Sequence, residues 1–429
     1  MTDIAAAPER LTNRVRSMLA GSAGNLVETF DWFVYAAFGL YFSKVFFPEG
    51  DRTTQLLNTA AVFLVGFLAR PVGAWMMGLY GDRVGRKAAM VISVSLMGVG
   101  SLAIGLCPGQ AEIGMAAPTV LVAARILQGM SMGGEYGASA VYLSEMARRE
   151  TRGFWSGVFY ATLMGGQLIA LGVLLTLTAV LSPEDMQRFG WRIPFFIGGL
   201  LAFAVFWLRR GMDETPSFHA RQGPRTTTLG LIRAHPRATM TVMGLTAGGT
   251  LAYYTFGTYM QKFLVNTSGF SKDQANLIAA GSMAVFTFAQ PVFGALSDRI
   301  GRRPMLIAFG LLGAVMTWPV LSALSHTRDV ATAFVLVTGA LLVVALYTSV
   351  NAVVKAELFP TEVRALGVAL PYSIANAIFG GGAEYVALAF KQRGHETGYF
   401  TYVTVVVAAS LVVYVAMRDT RRHSRIAED

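Results

Sequence analysis

Six ionisable side chains fall inside long apolar stretches of this 429-residue chain: Glu28, Asp31, Arg70, Arg125, Glu135 and Glu384. A charge costs roughly 2.5–3.5 kcal/mol at the middle of a membrane-crossing helix unless it is paired or wetted, so residues of this kind mark sites. Their chemistries differ. Arginine stays charged and grips a carboxylate through two parallel N–H donors. A buried carboxylate exchanges protons instead, because burial favours its neutral form and a neighbouring arginine its ionised form. Arg70 and Arg125 therefore read as anion-binding groups, and Asp31, Glu28 and Glu135 as proton-accepting ones. With all five ionised their sum is negative, so a dianion is repelled unless protons enter with it. The competing reading is a static network that fixes helix packing.

These residues need helices that cross lipid. The chain is 54% hydrophobic and only 14% charged, against about 25% charged in a soluble domain. About twelve apolar runs are long enough to cross roughly 30 Å of hydrocarbon, near 19–46, 56–80, 88–107, 117–144, 154–181, 192–210, 238–263, 273–297, 304–324, 331–354, 365–390 and 398–417. They are continuous rather than alternating, which selects helices over a barrel. At about 1.5 Å per residue, Asp31 and Arg125 share one depth and are expected to pair, while Glu28, Arg70 and Glu135 form a second level near the midplane. Glu384 falls near the outer end of its run, where it is as readily solvated as functional, and Gly380 to Gly382 beside it favour a locally unwound gate.

The net charge of +10 is a topological signal. With the N-terminus inside, about 24 Lys/Arg lie on cytoplasmic segments and about 9 on external loops, the positive-inside bias. Both termini are then cytoplasmic, and basicity implies lipid headgroups rather than nucleic acid as a partner. The first eighteen residues lack a small-residue cleavage site and read as a tail, not a signal peptide. A single cysteine, Cys107, rules out an internal disulfide. The five histidines all fall in loops or the tail, so no metal cluster is expected. There is no phosphate-cradling Gly-Lys-Ser/Thr loop, so ATP hydrolysis is not the energy source, and with no nucleophile–base constellation the chain reads as a non-enzyme without a cofactor.

The chain repeats itself. Gly78-Leu-Tyr-Gly-Asp82-Arg83-Val-Gly85-Arg86-Lys87 returns as Gly294-Ala-Leu-Ser-Asp298-Arg299-Ile-Gly301-Arg302-Arg303, and Glu145, Glu150 and Arg152 return as Glu357, Glu362 and Arg364. Two matches at nearly one offset imply a duplicated set of six helices. The expected division is a tail over 1–18, a six-helix bundle over 19–210, a basic, proline-containing linker over 211–237, a second bundle over 238–417 and a tail over 418–429. In the repeated loops Gly85 and Gly301 permit a tight turn, while Asp82 and Asp298 can cap a neighbouring helix. Arg83, Arg86, Arg299 and Arg302 then reach carboxylates or lipid phosphates.

This signature, with Arg125-Ile-Leu-Gln128-Gly129, resembles that of the major facilitator superfamily. The resemblance implies an all-α membrane fold of twelve helices in two pseudo-symmetric bundles, loops that latch the cytoplasmic side, and a midplane site. Gly24-Asn25-Leu-Val-Glu28-Thr-Phe-Asp31, Phe67-Leu-Ala-Arg70-Pro71-Val-Gly73 and Gly133-Gly134-Glu135-Tyr136-Gly137 are similar to the metabolite:proton symporters, and this likeness runs through all twelve spans. Thr258-Tyr259-Met-Gln261-Lys262, Lys355-Ala-Glu357-Leu-Phe-Pro360 and Asn376-Ala-Ile-Phe-Gly380-Gly381 resemble the branch that carries α-ketoglutarate. The resemblance implies proton-coupled uptake of a small organic anion, α-ketoglutarate or a related dicarboxylate, by a monomer in a bacterial inner membrane. Citrate, shikimate, betaine or proline, and a transporter-like nutrient sensor, are the alternatives. In the second half Tyr253, Tyr254, Tyr259, Gln261, Tyr347, Asn351, Tyr372 and Asn376 offer polar tips for a second carboxylate or a keto oxygen. Lys262 and Lys355 are expected to snorkel to the interface.

Overall fold

The computed structural model describes the backbone of residues 6–83, 86–210, 230, 233–360 and 363–426. Within these ranges the side chains of 6–24, 78–79, 81–83, 86–90, 134–135, 138–139, 142, 146 and 208–210 lie outside the described set. Glu135, Asp82, Arg83 and Arg86 thus fall outside it as side chains, and Gly85 altogether.

The described residues form helices and no strand. In chain order the long ones are α1 (Ala6–Phe46), α2 (Arg52–Arg83), α3 (Arg86–Leu106), α4 (Ala116–Met146), α5 (Arg152–Val180) and α6 (Ile193–Arg210). The second set is α7 (Pro236–Tyr253, then Tyr254–Tyr259 and Met260–Asn266), α8 (Lys272–Ile300), α9 (Arg302–His326), α10 (Val330–Glu357), α11 (Arg364–Ala375, then Asn376–Gly381 and Gly382–Gln392) and α12 (Glu396–Ala416). Eight of these are long and apolar enough to cross a membrane by composition alone. The other four, α1, α3, α4 and α7, fall short of that measure over their described residues.

Local chemistry fixes the ends. Ser271 and Gln274 cap α8 reciprocally, side chain to backbone, at 3.1 Å each way. The Asp329 carboxylate accepts from Thr332 N at 2.7 Å and starts α10. Gly301 turns the chain between α8 and α9 at φ 103°, a conformation open chiefly to glycine. Large apolar side chains such as Leu200, Phe288, Val292 and Val412 face outward, as lipid contact requires.

The halves meet in a pattern that repeats the duplication. α2 packs on α11 while α8 packs on α5, the same pair with the halves exchanged, and α4 and α10 close the middle. Within the first half α2 and α4 approach at Gly129 and Gly133, where an added Cβ would overlap the backbone carbonyls of Gly66 and Arg70. That contact places Arg70 at the centre of the molecule.

Two helices carry a π turn at mid-depth, Tyr254–Tyr259 in α7 and Asn376–Gly381 in α11. The second coincides with the glycines expected to unwind. A π turn re-aims side chains and leaves backbone groups less tightly tied, which is why such turns gather at functional sites.

Candidate functional site

Between the halves lies a small cavity of about 60 Å³, lined by residues of both. The first half contributes Asn25, Glu28, Thr29 and Phe33 from α1, Arg70 from α2, Met132 and Tyr136 from α4, and Tyr160, Leu163 and Met164 from α5. The second half contributes Thr250, Tyr253 and Tyr254 from α7, Tyr347 and Thr348 from α10, and Tyr372, Ser373 and Asn376 from α11. Tyr254 and Asn376 are the first residues of the two π turns, so both irregular turns present a polar group to the cavity.

Arg70 dominates this space electrostatically. Its guanidinium rests on the rings of Trp32 and Phe67, 4.0 Å from each centre, and one terminal nitrogen reaches the Met132 sulfur at 3.4 Å. Its Nε has no hydrogen-bond partner, and among the described residues no carboxylate forms an ion pair with it. Thioether and aromatic faces hold a cation without neutralising it. Tyr347 Oη and both polar atoms of the Asn376 amide also lack partners and line the same cavity. A carboxylate bound here would fill donors that the protein leaves empty.

Asp31 and Arg125 form a separate cluster. Both are fully buried, and neither lines the cavity. They do not pair directly as expected: Arg125 Nη1 donates to Gln128 Oε1 at 2.8 Å, and Gln128 Nε2 donates to Asp31 at 2.7 Å. Ser101 donates to the other Asp31 oxygen. The reason is steric, since the guanidinium of Arg125 is held over Trp32 at 3.9 Å and Tyr35 at 4.5 Å. Gln128 lies one helical turn from Arg125, a spacing that puts both on one face and could have flagged it. Ser101, one of three serines in the apolar run of α3, gave no such signal.

The second-half candidates divide likewise. Tyr253, Tyr254, Tyr347, Tyr372 and Asn376 reach the cavity; Tyr259, Gln261 and Asn351 do not. Gln261 Nε2 instead donates across the halves to Ala37 O at 3.2 Å, and to Asn276 at 2.6 Å. Asn351 accepts from Tyr136 Oη at 3.1 Å.

Both lysines overturn the snorkelling expectation. Lys262 is buried in a pair with Glu384, its Nζ 2.7 and 2.8 Å from the two carboxylate oxygens, so Glu384 is not solvated either. Lys355 is fully buried, donating to Asn351 at 2.6 Å. The bundle extends around both residues, beyond the apolar runs that had marked them as interfacial.

Contacts between the halves lie on both sides of the cavity. At the end carrying the duplicated loops, the Asp298 carboxylate accepts from Gly153 N and Phe154 N, at 2.8 Å each, capping α5 of the other half. Arg302, fully buried, holds Asp298 at 2.8 Å, whereas Arg299 is exposed and offers only its carbonyl, to Arg421. Glu145 pairs with Arg364 across the halves at the same end. At the far end Asn276 donates to Tyr41 Oη at 2.9 Å and Lys272 to Leu40 O at 3.1 Å. The two halves are thus tied to each other on each side of the cavity.

Two pseudo-symmetric helical bundles with a polar cavity between them have the architecture of a secondary transporter. The chain matches the family described as sugar (and other) transporter over residues 17–228 and again over 225–425, and it belongs to that family, within the major facilitator superfamily. It is 47% identical to the α-ketoglutarate permease of Escherichia coli K12, covering 96% of each chain. It is 34% identical to a citrate-proton symporter of Klebsiella pneumoniae, over 95% of this chain and 93% of that one. The proton:xylose symporter XylE with bound 6-bromo-6-deoxy-D-glucose shares the fold at a TM-score of 0.78 and 16% identity, over 95% of this chain and 97% of that one. The protein is a multi-pass membrane transporter and not an enzyme.

Proposed function

We propose that this transporter takes up α-ketoglutarate, or a closely related dicarboxylate, together with protons across a bacterial inner membrane. The observation that carries the reading is Arg70, a buried cation without an ion-pair partner among the described residues, in the wall of the cavity between the halves. The relatives that transport α-ketoglutarate and citrate support an organic anion as the cargo.

In the proposed cycle one carboxylate of the substrate binds Arg70 with two parallel hydrogen bonds. Asn376 and Tyr347 take up the remaining oxygens. Glu28, in the same wall, accepts a proton, because two like charges enclosed in one compartment raise the energy of both. Asp31, held by Gln128 to Arg125, is the second proton site, and Glu135 keeps that assignment by motif alone. Once the charges balance, the halves rock about the cavity, since an occluded unpaired charge is costly. Asp298 and Arg302, with Asp82, Arg83, Gly85 and Arg86 in the matching loop, act as the cytoplasmic latch. The chain works as a monomer with both termini cytoplasmic.

The deciding experiment is uptake of labelled α-ketoglutarate into proteoliposomes with and without an imposed pH difference. Accumulation driven by external acid supports symport. Uptake indifferent to the pH difference rules out proton coupling, and no uptake rules out the substrate.

A further inference from the structure

The mechanism above leaves the buried cation Lys355 without a task. Lys355 lies in α10, two turns from the cavity-lining Tyr347 toward the end with the duplicated loops. Its side chain is fully enclosed, yet among the described residues no carboxylate pairs with it. Neutral groups hold it: Asn351 Oδ1 at 2.6 Å, Tyr136 Oη at 3.4 Å and the face of the Tyr372 ring at 3.8 Å. Two of these three, Tyr136 and Tyr372, are also walls of the cavity, and they stack on each other at 4.0 Å. Tyr136 comes from the first half and Tyr372 from the second. Separating the halves at that end must therefore part the stack, and parting it uncovers the ammonium.

We infer that Lys355 is a second anion station, screened by the Tyr136–Tyr372 stack, which receives the distal carboxylate of a dicarboxylate whose first carboxylate is on Arg70. Charge supports this. Arg70 and Lys355 together balance a dianion when Glu28 is protonated, so cargo valence and proton entry are set by the same groups. A monocarboxylate on Arg70 leaves Lys355 uncompensated, and a buried ammonium without a counter-charge is costly. Lys355 thus selects for two carboxylates, whereas Arg70 alone does not discriminate.

The inference rests on the proposed anion-transport reading, and the test separates the two. Full-length protein in detergent is titrated with α-ketoglutarate and with α-ketobutyrate, which shares the keto-acid end and lacks the distal carboxylate. Wild-type protein is expected to prefer α-ketoglutarate by about tenfold or more, the effect of one charged hydrogen bond. Lys355→Gln and Lys355→Met should lose that preference while binding α-ketobutyrate within about twofold of wild type, which also reports correct folding. Lys355→Arg should keep most of it. Retention of the preference in both neutral variants overturns the inference and leaves the proposed function standing, as does equal loss of both ligands in both variants. Failure of wild-type protein to bind α-ketoglutarate overturns both.

Discussion

Arg70 and Arg125 rest on one indole: their guanidinium carbons lie 4.0 and 3.9 Å from the ring centre of Trp32. The two cations are neighbours in space but not in environment. Arg70 lines the cavity with its Nε unpartnered, whereas Arg125 is enclosed by aromatic rings and by Gln128. One α1 side chain touches both, so a movement of α1 that shifts Trp32 disturbs the cavity and the Asp31 cluster together. The two arginines should respond to substitution in different ways.

Arg70→Lys keeps the charge and loses the planar fork; Arg70→Met loses both. With charge-assisted hydrogen bonds contributing about 1.5–3 kcal/mol each, KM for α-ketoglutarate should rise about tenfold in the first and at least a hundredfold in the second. Initial uptake rates in proteoliposomes, normalised to inserted protein, measure this. Near-normal uptake by the Met variant would remove Arg70 from the site.

Arg125 should act first on stability. Arg125→Ala leaves Asp31 buried with its balancing cation gone, a change of about 3–5 kcal/mol, whereas Arg125→Gln combined with Asp31→Asn removes both charges and should cost less than the single change. Thermal unfolding in detergent tests the order. Asp31→Asn alone should abolish accumulation driven by the pH difference while sparing substrate exchange. Concentrative uptake at the wild-type level would exclude Asp31 from coupling.

Much of this was legible in the sequence, and the gaps have physical causes. Duplicated loops and apolar runs implied two six-helix bundles because lipid leaves so few ways to satisfy a backbone. Rise per residue separated Asp31 and Arg125 from the Arg70 level, and the cavity divides them in that way. Depth says nothing of azimuth, however. Arg125 and Arg70 were both read as substrate ligands, although one points into the cavity and the other into a ring cage. Lys262 and Lys355 were misread because hydropathy marks where apolar runs end, not where the bundle ends. The π turn in α7 left no trace, since Tyr254–Tyr259 reads as ordinary helix; only the glycines after Asn376 gave its counterpart away.

Asp298 closes the loop end by capping α5 across the halves, which makes the latch a helix cap as well as an ion pair. Asp298→Asn weakens both, and a cap of this kind is worth about 0.5–2 kcal/mol. The opening equilibrium at that end should shift by about two- to thirtyfold. In a Cys107→Ser background with Ser373→Cys in the cavity wall, an impermeant maleimide applied from the loop side should label faster by that factor. Equal labelling rates would mean that Asp298 is a fold element without a gating role.

Lys262 and Glu384 join α7 to α11 beyond their π turns, where each side chain is at most 5% exposed. The pair ties together the far-end segments of the two helices that the π turns separate from the rest of the bundle. Glu384→Gln strands a buried ammonium, so unfolding should be easier by about 3–5 kcal/mol, while Lys262→Met with Glu384→Leu replaces the pair by packing and should sit near or above wild type. Neither residue lines the cavity, so the double variant should bind α-ketoglutarate with unchanged affinity. Its transport rate should fall if the charge pair holds the far-end gate as a unit and stay the same if the pair serves packing alone; proteoliposome exchange, which needs both gates, reads the difference. A double variant as unstable as Glu384→Gln would show that Lys262 and Glu384 do not stabilise each other.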